Sequence, residues 1–282
     1  MAGEGGNAKH HTHHAHITPE DAGGGKSQII VVLILVAVLG GGGIWYLNRA
    51  GEDNKLNALF GSADAKKIST NNGQRGEMTL SDGSALSIAP ATKLTIIPDY
   101  NKQYRGIKVE GGLKVEVKSS PNTPLELRAG GAALVLSEGA VVARAYPDEG
   151  VAYIKLTSGT AEIRAKEARR QLTGPVSIKV GKDSAIADAD AVAADAATAF
   201  AEGKVVINNA TLGDVLPLFT KYYALTMEVT DKALLSRPVT MTADLAGKKE
   251  AIAALETAAG VKFGYEGTSA KPVLRDNPGK KK

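Results

Sequence analysis

The sequence predicts a single-pass membrane protein that is mainly β and ends in a small α/β domain. Three features of the 282-residue chain support this prediction: one uncharged apolar run, a long series of short alternating strands, and helical periodicity near the end of the chain. The formal net charge of +4 is modest and spread along the chain, without a basic stripe that carries aromatic residues. Nucleic acid is therefore not an expected partner.

The apolar run extends from Ile29 to Leu47 and contains no charged residue. At about 1.5 Å per residue, a helix of this run is about 28 Å long, which is close to the ~30 Å hydrocarbon core of a bilayer. Trp45 and Tyr46 suit the membrane interface at its end. A cleaved signal peptide is the alternative, but no A-x-A-like cleavage site follows the run. We therefore expect one transmembrane helix at residues 29–47, which makes the membrane a partner of this chain.

The charges that flank this helix leave its orientation open. Lys26 precedes the run, and more basic residues follow it, namely Arg49, Lys55, Lys66 and Lys67. The positive-inside count thus slightly favours a cytoplasmic location for the large part, but long domains cross membranes largely regardless of charge. Residues 1–28 are rich in glycine and histidine and are expected to form a disordered tail.

All histidines of the chain lie ahead of the apolar run, and the chain has no cysteine. The large part therefore cannot form a Ser-His-Asp triad, a Cys-His pair or a histidine-ligated zinc site. No spaced pair of acidic residues stands out, so we expect a protein that is not an enzyme and uses no cofactor. The histidine tract is either a site for a divalent metal, with neutral imidazoles as ligands, or a polar tail without one. Its members are His10, His11, His13, His14 and His16.

A polar juxtamembrane linker at residues 48–69 leads into residues 70–184, where apolar and polar residues alternate. Many short segments show this alternation, for example Leu113, Val115 and Val117, and their spacing predicts a β-solenoid or sandwich-like β domain. Each such strand has one apolar face, so the sheet must close on itself or stack. Turn signals separate the predicted strands at Asp82-Gly83, Pro98-Asp99, Gly111-Gly112, Gly130-Gly131, Glu138-Gly139, Glu149-Gly150 and Ser158-Gly159.

The start of this region carries Gly73-Gln74-Arg75, then Thr79-Leu80-Ser81-Asp82-Gly83-Ser84 and alternating apolar residues. This pattern resembles the opening of a FecR domain, whose hallmark is G-Q-R followed by T-L-x-D-G-S. The resemblance continues as far as residues 156–163. One segment departs from the family, whose G-T-x-F appears here as Glu138-Gly139-Ala140-Val141. We expect the motif to be structural, with Asp82-Gly83 as a hairpin turn that sets the strand register. The motif residues are Gln74, Arg75, Leu80, Asp82, Gly83, Ser84 and Leu86.

An alanine- and aspartate-rich segment, residues 185–203, predicts a linker or a weak helix between domains. Residues 204–267 then show the order strand–helix–strand twice, which predicts two right-handed βαβ units in a small α/β domain. The first helix is expected at Leu212–Tyr223, although Pro217 is unfavourable inside it. The second helix is expected at residues 248–259.

This small domain resembles the STN module, the short N-terminal domain of secretins and TonB receptors that also ends many FecR-like proteins. Phe200 lies where those relatives often carry tryptophan. We expect the methionines and tyrosines of this domain to belong to its core rather than to a binding surface. Residues 268–282 are expected to form a basic disordered tail.

The two resemblances imply a regulator of an extracytoplasmic-function sigma factor in the bacterial inner membrane. Residues 1–28 are then cytoplasmic and contact the sigma factor, while the bulk of the chain is periplasmic and receives a signal from a TonB-dependent outer-membrane receptor. A partner segment is expected to add to an exposed sheet edge or to bind the STN-like surface.

The short segment ahead of the apolar run supports a second hypothesis. FecR-like proteins usually carry a sizeable helical region there, whereas residues 1–28 have no apolar helical stripe. The alternative is a membrane-tethered envelope scaffold or assembly protein that binds another envelope protein and does not regulate a sigma factor.

Overall fold

The computed structural model describes residues 54–229, 231–265 and 272–276. The predicted transmembrane helix from Ile29 to Leu47, the histidine tract and the rest of the predicted tail at residues 1–28 lie outside this part of the chain. Within the described ranges, no helix is both long and apolar enough to cross a membrane.

The β domain consists of eleven strands among the described residues, preceded by a helical segment, α1 (residues 54–60). The strands are β1 (Lys66–Ser69), β2 (Gly76–Thr79), β3 (Ala85–Ile88), β4 (Lys93–Ile96), β5 (Arg105–Val117), β6 (Leu125–Ala129), β7 (Ala132–Ala145), β8 (Val151–Ala165), β9 (Ala168–Thr173), β10 (Val176–Gly181) and β11 (Ile186–Asp188).

Three long strands, β5, β7 and β8, pass from one layer of the domain into the other. The first half of β5 pairs with β4 and β6, and its second half pairs with β3 and β7. In the same way, β8 pairs with β10 through its first half and with β9 through its second half. One layer therefore has the order β1-β4-β5-β6-β7-β8-β9, and the other has the order β2-β3-β5-β7-β8-β10-β11. Their inner faces enclose a single apolar core.

Glycines mark the places where the long strands bend. Gly139 and Gly159 face each other in the β7–β8 ladder, with φ values of 122° and 88°, and Gly111 in β5 has a φ of 136°. The sequence predicts turns at these three positions, and that prediction is wrong. A glycine with positive φ bends the backbone while the ladder continues on both sides, so a bend and a turn look alike in sequence.

The other predicted turns are confirmed. Asp82-Gly83 closes the hairpin between β2 and β3, where the Leu80 N–H donates to the Ser84 carbonyl oxygen at 2.9 Å. Pro98-Asp99, Gly130-Gly131 and Glu149-Gly150 also lie between strands. The prediction that the alternating residues face one core is confirmed as well, since Leu113, Val115 and Val117 are all buried.

The segment predicted as a linker, residues 185–203, is packed against the β domain. It contains β11, the helix α2 (Ala191–Thr198) and a 3₁₀ turn (Ala199–Glu202). Strand β11 pairs with β10, and the helix buries two of its alanines, Ala194 and Ala197. Small side chains let α2 lie close to the sheet, so an alanine-rich composition here reflects close packing.

The C-terminal domain combines two helices with two small sheets. Its elements are β12 (Lys204–Thr211), α3 (Leu212–Tyr223), β13 (Glu228–Val229), β14 (Pro238–Asp244), α4 (Lys248–Ala259), β15 (Val261–Tyr265) and β16 (Pro272–Asp276). Both predicted helices are present, and α3 runs through Pro217. The buried residues Tyr222, Tyr223, Met227 and Met241 belong to the core, as predicted.

The strand pairing of this domain differs from two βαβ units. β12 pairs antiparallel with β14, and β13 pairs parallel with β16, which also pairs antiparallel with β15. The strands that flank each helix are therefore not neighbours in one sheet. β16 lies within residues 268–282, which the sequence predicts to be a disordered tail. That prediction is wrong for β16, because it is a paired strand in which the side chains of Val273 and Leu274 are buried. Strand order follows from local pattern, but the choice of partner depends on contacts between distant residues.

Replacement of Gly139 by alanine is expected to lower the stability of the β domain by about 2 kcal/mol or more, because φ is positive and the new Cβ would overlap the Ser158 carbonyl. Gly264→Ala is the control, since a Cβ at that position would meet no atom within 4 Å. Thermal unfolding followed by circular dichroism should show a lower midpoint for the first variant only. Equal midpoints for the two variants would contradict this account of the bend.

Candidate functional site

A buried ion pair lies beneath the β2–β3 hairpin. The side chains of Arg105 and Asp82 are 0 % and 4 % exposed, and Arg105 Nη1 lies 2.9 Å from Asp82 Oδ2. The Tyr100 hydroxyl donates to the same carboxylate oxygen at 3.0 Å, and the Ser84 N–H donates to Oδ1 at 2.9 Å. Burial raises the pKa of Asp82, but the hydrogen bonds from Ser84 and Arg105 outweigh it and hold this pKa below its usual value.

Arg105 also binds the backbone of three other segments. Its guanidinium donates to the carbonyl oxygens of Lys118, Ser137 and Thr123. A buried guanidinium needs several acceptors to offset the loss of water, and this one has four. The side chain therefore connects the hairpin to the end of β5, to the β5–β6 connection and to the middle of β7, which is a structural role.

The sequence motif thus divides into separate places in the fold. Leu80 and Leu86 belong to the core, and Asp82 and Ser84 meet at the ion pair, with Gly83 in the turn above it. Gln74 and Arg75 lie apart from them, in the connection between β1 and β2. Sequence reasoning missed Arg105, although one signal was present. Arg105 stands two residues before Ile107, so it shares the inward face of β5.

A second cluster of charges joins the two domains. The Arg144 side chain in β7 donates to both carboxylate oxygens of Glu149, at 2.7 and 2.8 Å, and to the Tyr222 hydroxyl of α3 at 2.8 Å. Lys221, the neighbour of Tyr222, donates to Glu149 at 2.9 Å and forms an ion pair with Asp148 at 3.0 Å. We call these five residues the junction cluster. The last turn of α3 is thereby attached to the β7–β8 turn.

Backbone and apolar contacts extend this junction. The Gly73 N–H donates to the Lys221 carbonyl oxygen at 2.8 Å, so the end of α3 also holds the β1–β2 connection that carries Gln74 and Arg75. Phe200 is only 7 % exposed and packs with Ala89 and Val142 of the β domain in the core of the C-terminal domain. The two domains consequently share apolar contacts as well as ion pairs, and they form one compact unit from residue 55 onwards.

The charges of the junction cluster balance one another, and they lower the pKa values of its carboxyl groups. Burial raises the pKa of the Glu149 carboxyl, but Arg144 and Lys221 together hold it below its usual value. The pKa of Asp148 is lowered for the same reason, by Lys221 against the effect of burial. Every charge in the cluster has an opposite partner. In the described part of the chain, no three His, Cys, Asp or Glu side chains group closely enough to hold a metal ion.

Four strands of the described β domain, β1, β2, β9 and β11, have a neighbour on one side only. Charged edge residues discourage pairing with other chains, and β9 carries Arg169 and Arg170 at such an edge. β2 contains no lysine, arginine or proline. Because the Leu80 N–H points to β3, strand alternation points the backbone groups of Glu77 and Thr79 away from it. β2 is therefore open to a further strand.

A groove of about 320 Å³ lies beside β2 at the junction of the domains. The groove is bordered by Arg75 of the β1–β2 connection and by residues of β2, β3 and the 3₁₀ turn, including Glu77, Ser87, Phe200 and Ala201. A partner segment along β2 would thus meet both domains. Edge and groove together form the candidate interaction site.

Replacement of Asp82 by asparagine is expected to cost about 3 kcal/mol, because it leaves the charge of Arg105 buried without its carboxylate partner. Asp99→Asn is the matched control, since the side chains of Asp99 and its partner Lys102 are 71 % and 74 % exposed. Chemical denaturation at neutral pH should separate the two variants. A similar loss in both would argue against a structural role for the buried pair.

Replacement of Glu149 by glutamine is expected to lower stability at pH 7 and to flatten the acid dependence of unfolding. The folded state holds the Glu149 pKa low, so this residue stabilises the fold above the unfolded pKa of about 4.3, and the contribution is lost as the pH falls through the folded-state pKa. Unfolding midpoints measured between about pH 7 and 3 test this. The exposed Glu138→Gln is the control, and an acid profile unchanged in Glu149→Gln would contradict the assignment.

Comparison with known proteins identifies the first domain. Residues 66–162 match the family model described as FecR protein. Two crystal structures of a protein described as "a putative anti-sigma factor" from Parabacteroides distasonis share the fold, each with a TM-score of 0.62, at 19 % and 18 % identity. In both comparisons the similarity covers 75 % of this chain and 99 % of the other. A comparison with curated protein sequences found no match. Residues 66–162 of the chain thus form a FecR family domain.

Proposed function

We propose that the chain is a FecR-type regulator of a sigma factor, anchored in the bacterial inner membrane by residues 29–47. The observation that carries the proposal is the FecR family domain joined to a C-terminal α/β domain, in a fold that extends over nearly all of a protein described as an anti-sigma factor. The function is binding, not catalysis, and the absence of histidine and cysteine after residue 16 is consistent with it.

The proposed arrangement places residues 1–28 in the cytoplasm and the described domains in the periplasm. The uncharged run between Ile29 and Leu47 supports a membrane span between the two sides. Residues 1–28 then contact the sigma factor. The STN-like interpretation of the C-terminal domain belongs to this proposal too, since such modules occur in TonB-dependent receptors.

A signal from an outer-membrane receptor enters at the candidate interaction site. A segment of the receptor would add to β2 as a further strand, because the backbone groups of Glu77 and Thr79 point outward there. The same segment would fill the groove bordered by Phe200 and Ala201 of the second domain. Because the junction cluster joins the two domains, a segment bound at the candidate interaction site would affect both of them.

Co-purification of the full chain tests the cytoplasmic half of the proposal. Full-length protein extracted from its own cells is expected to carry a sigma factor, and a variant without residues 1–28 is expected to lose it. Expression of sigma-dependent genes should change on deletion of the protein. No sigma factor, no change of expression and stable isolation with an envelope complex would instead support the envelope scaffold.

Proline substitution tests the periplasmic half in the same cells. Glu77→Pro removes an outward N–H from β2 and leaves the hydrogen bonds to β3 in place, so the signal-dependent change of expression should be lost while the protein level is retained. Gln171→Pro is the control on β9. The two-residue turn between Ala165 and Ala168 places the Gln171 N–H on the outward side of β9, so this variant also loses an outward N–H and should leave the response intact. Loss of the response in both variants, or in neither, would exclude β2 as the receiving edge.

A further inference from the structure

The outer side of β1, β4 and β5 carries three lysines in one patch. The β-ladders place Lys67 beside Thr95 and Thr95 beside Lys108, while Lys93 stands between Ser69 and Glu110. The alternate residues Ile68, Leu94 and Val109 point into the core, so these lysines point away from it. Lys67, Lys93 and Lys108 are all exposed. We call this patch the basic face.

The basic face keeps a net positive charge after its internal ion pair is counted. Glu110 is the one acidic residue of this patch among the described residues, and it pairs with Lys108 at 2.8 Å. Lys67 and Lys93 therefore remain in excess. The neighbouring outer surface of β2, β3 and β5 is different, because Lys114 pairs with Glu116 at 2.7 Å and Glu77 adds a negative charge. Of these two neighbouring surfaces, only the basic face thus carries a net positive charge.

Protection of a sheet edge does not explain this distribution. A lysine on an edge strand prevents pairing with another chain, and Lys67 on β1 fits that role. Lys93 and Lys108 lie on β4 and β5, which already have neighbours on both sides. Their position on the outer face of the sheet instead suits contact with a broad anionic surface.

A short segment of sequence joins the proposed membrane span to the described domains. Residues 48–53 separate the end of that span from α1, and a fully extended chain of this length covers at most about 25 Å. α1 itself packs beside β5, where the ring of Phe60 approaches Gly106 and stacks with Arg128 at 4.4 Å.

We propose that the basic face binds the anionic lipid headgroups of the membrane that anchors the chain. This inference rests on the membrane span of the proposed function. Each lysine that reaches an anionic surface strengthens such a contact about fivefold, and the tether keeps the local concentration of lipid high. The contact is screened by salt.

Site-directed labelling of the full chain in lipid nanodiscs tests the proposal. The chain has no cysteine, so single cysteines can be placed at Thr95 on the basic face and at Ser87 on the neighbouring surface of β3. A fluorophore at each site reports quenching by a lipid-attached quencher. With equal parts of phosphatidylglycerol and phosphatidylcholine, quenching at Thr95→Cys should exceed quenching at Ser87→Cys several-fold. Pure phosphatidylcholine, or high salt, should remove the difference.

Neutral substitutions complete the test. Lys67→Gln with Lys93→Gln should abolish the lipid-dependent quenching at position 95, whereas Lys114→Gln on the neighbouring surface should leave it unchanged. Equal quenching at both labels, or quenching independent of lipid charge, would overturn the proposal. A chain that fails to elute with the nanodisc would contradict the membrane span itself, which separates failure of the proposed function from failure of the lipid contact.

Discussion

The sharing of β5, β7 and β8 between two layers is the constraint on which the rest of this structure depends. Each strand is too long for one layer and must bend, and each bends where a glycine takes a positive φ. The bend lets one hydrogen-bonded sheet cover both sides of a single core, with register shifts in the β7–β8 ladder between Leu136 and Gly139 and between Ala140 and Val141. It also decides where the sheet ends, because β1 and β2 become the edges of the two layers.

The buried polar groups act as connections between these bent strands. Arg105 joins the β2–β3 hairpin to β5 and β7, and its partner Asp82 belongs to the motif that characterises the FecR domain. The motif aspartate thus has a structural role. Replacement of such a pair by apolar residues can be neutral in stability, whereas removal of one partner is costly, so the pair contributes mainly to a unique arrangement of the strands.

The junction cluster joins the two domains through hydrogen bonds and ion pairs. Arg144 and Glu149 come from the β domain, Lys221 and Tyr222 from α3, and the Lys221 carbonyl accepts from Gly73 in the β1–β2 connection. A partner that binds the β2 edge and the groove beside the 3₁₀ turn would therefore contact both domains where they meet. The proposed lipid contact lies on the outer face of β1, β4 and β5, so receptor and membrane would bind different surfaces of one compact unit.

The sequence alone determined the fold class of the protein and most of its local structure. Period-two alternation, the motif around Asp82 and the helical spacing of residues 212–223 are local patterns, and they predicted a β domain, a FecR resemblance and α3 correctly. The same patterns could not separate a bend from a turn at Gly111, Gly139 and Gly159, since both require the same glycine conformation.

Tertiary structure alone decided the partners of each element. Arg105 meets Asp82 across 23 positions of the chain, and Arg144 meets Tyr222 across 78. β16 pairs within a segment that its composition describes as a tail. Such contacts depend on how the bent sheet brings distant segments together, and no pattern of neighbouring residues encodes that distance. The positions of the open edge, the groove and the basic face follow from the same folding of the sheet.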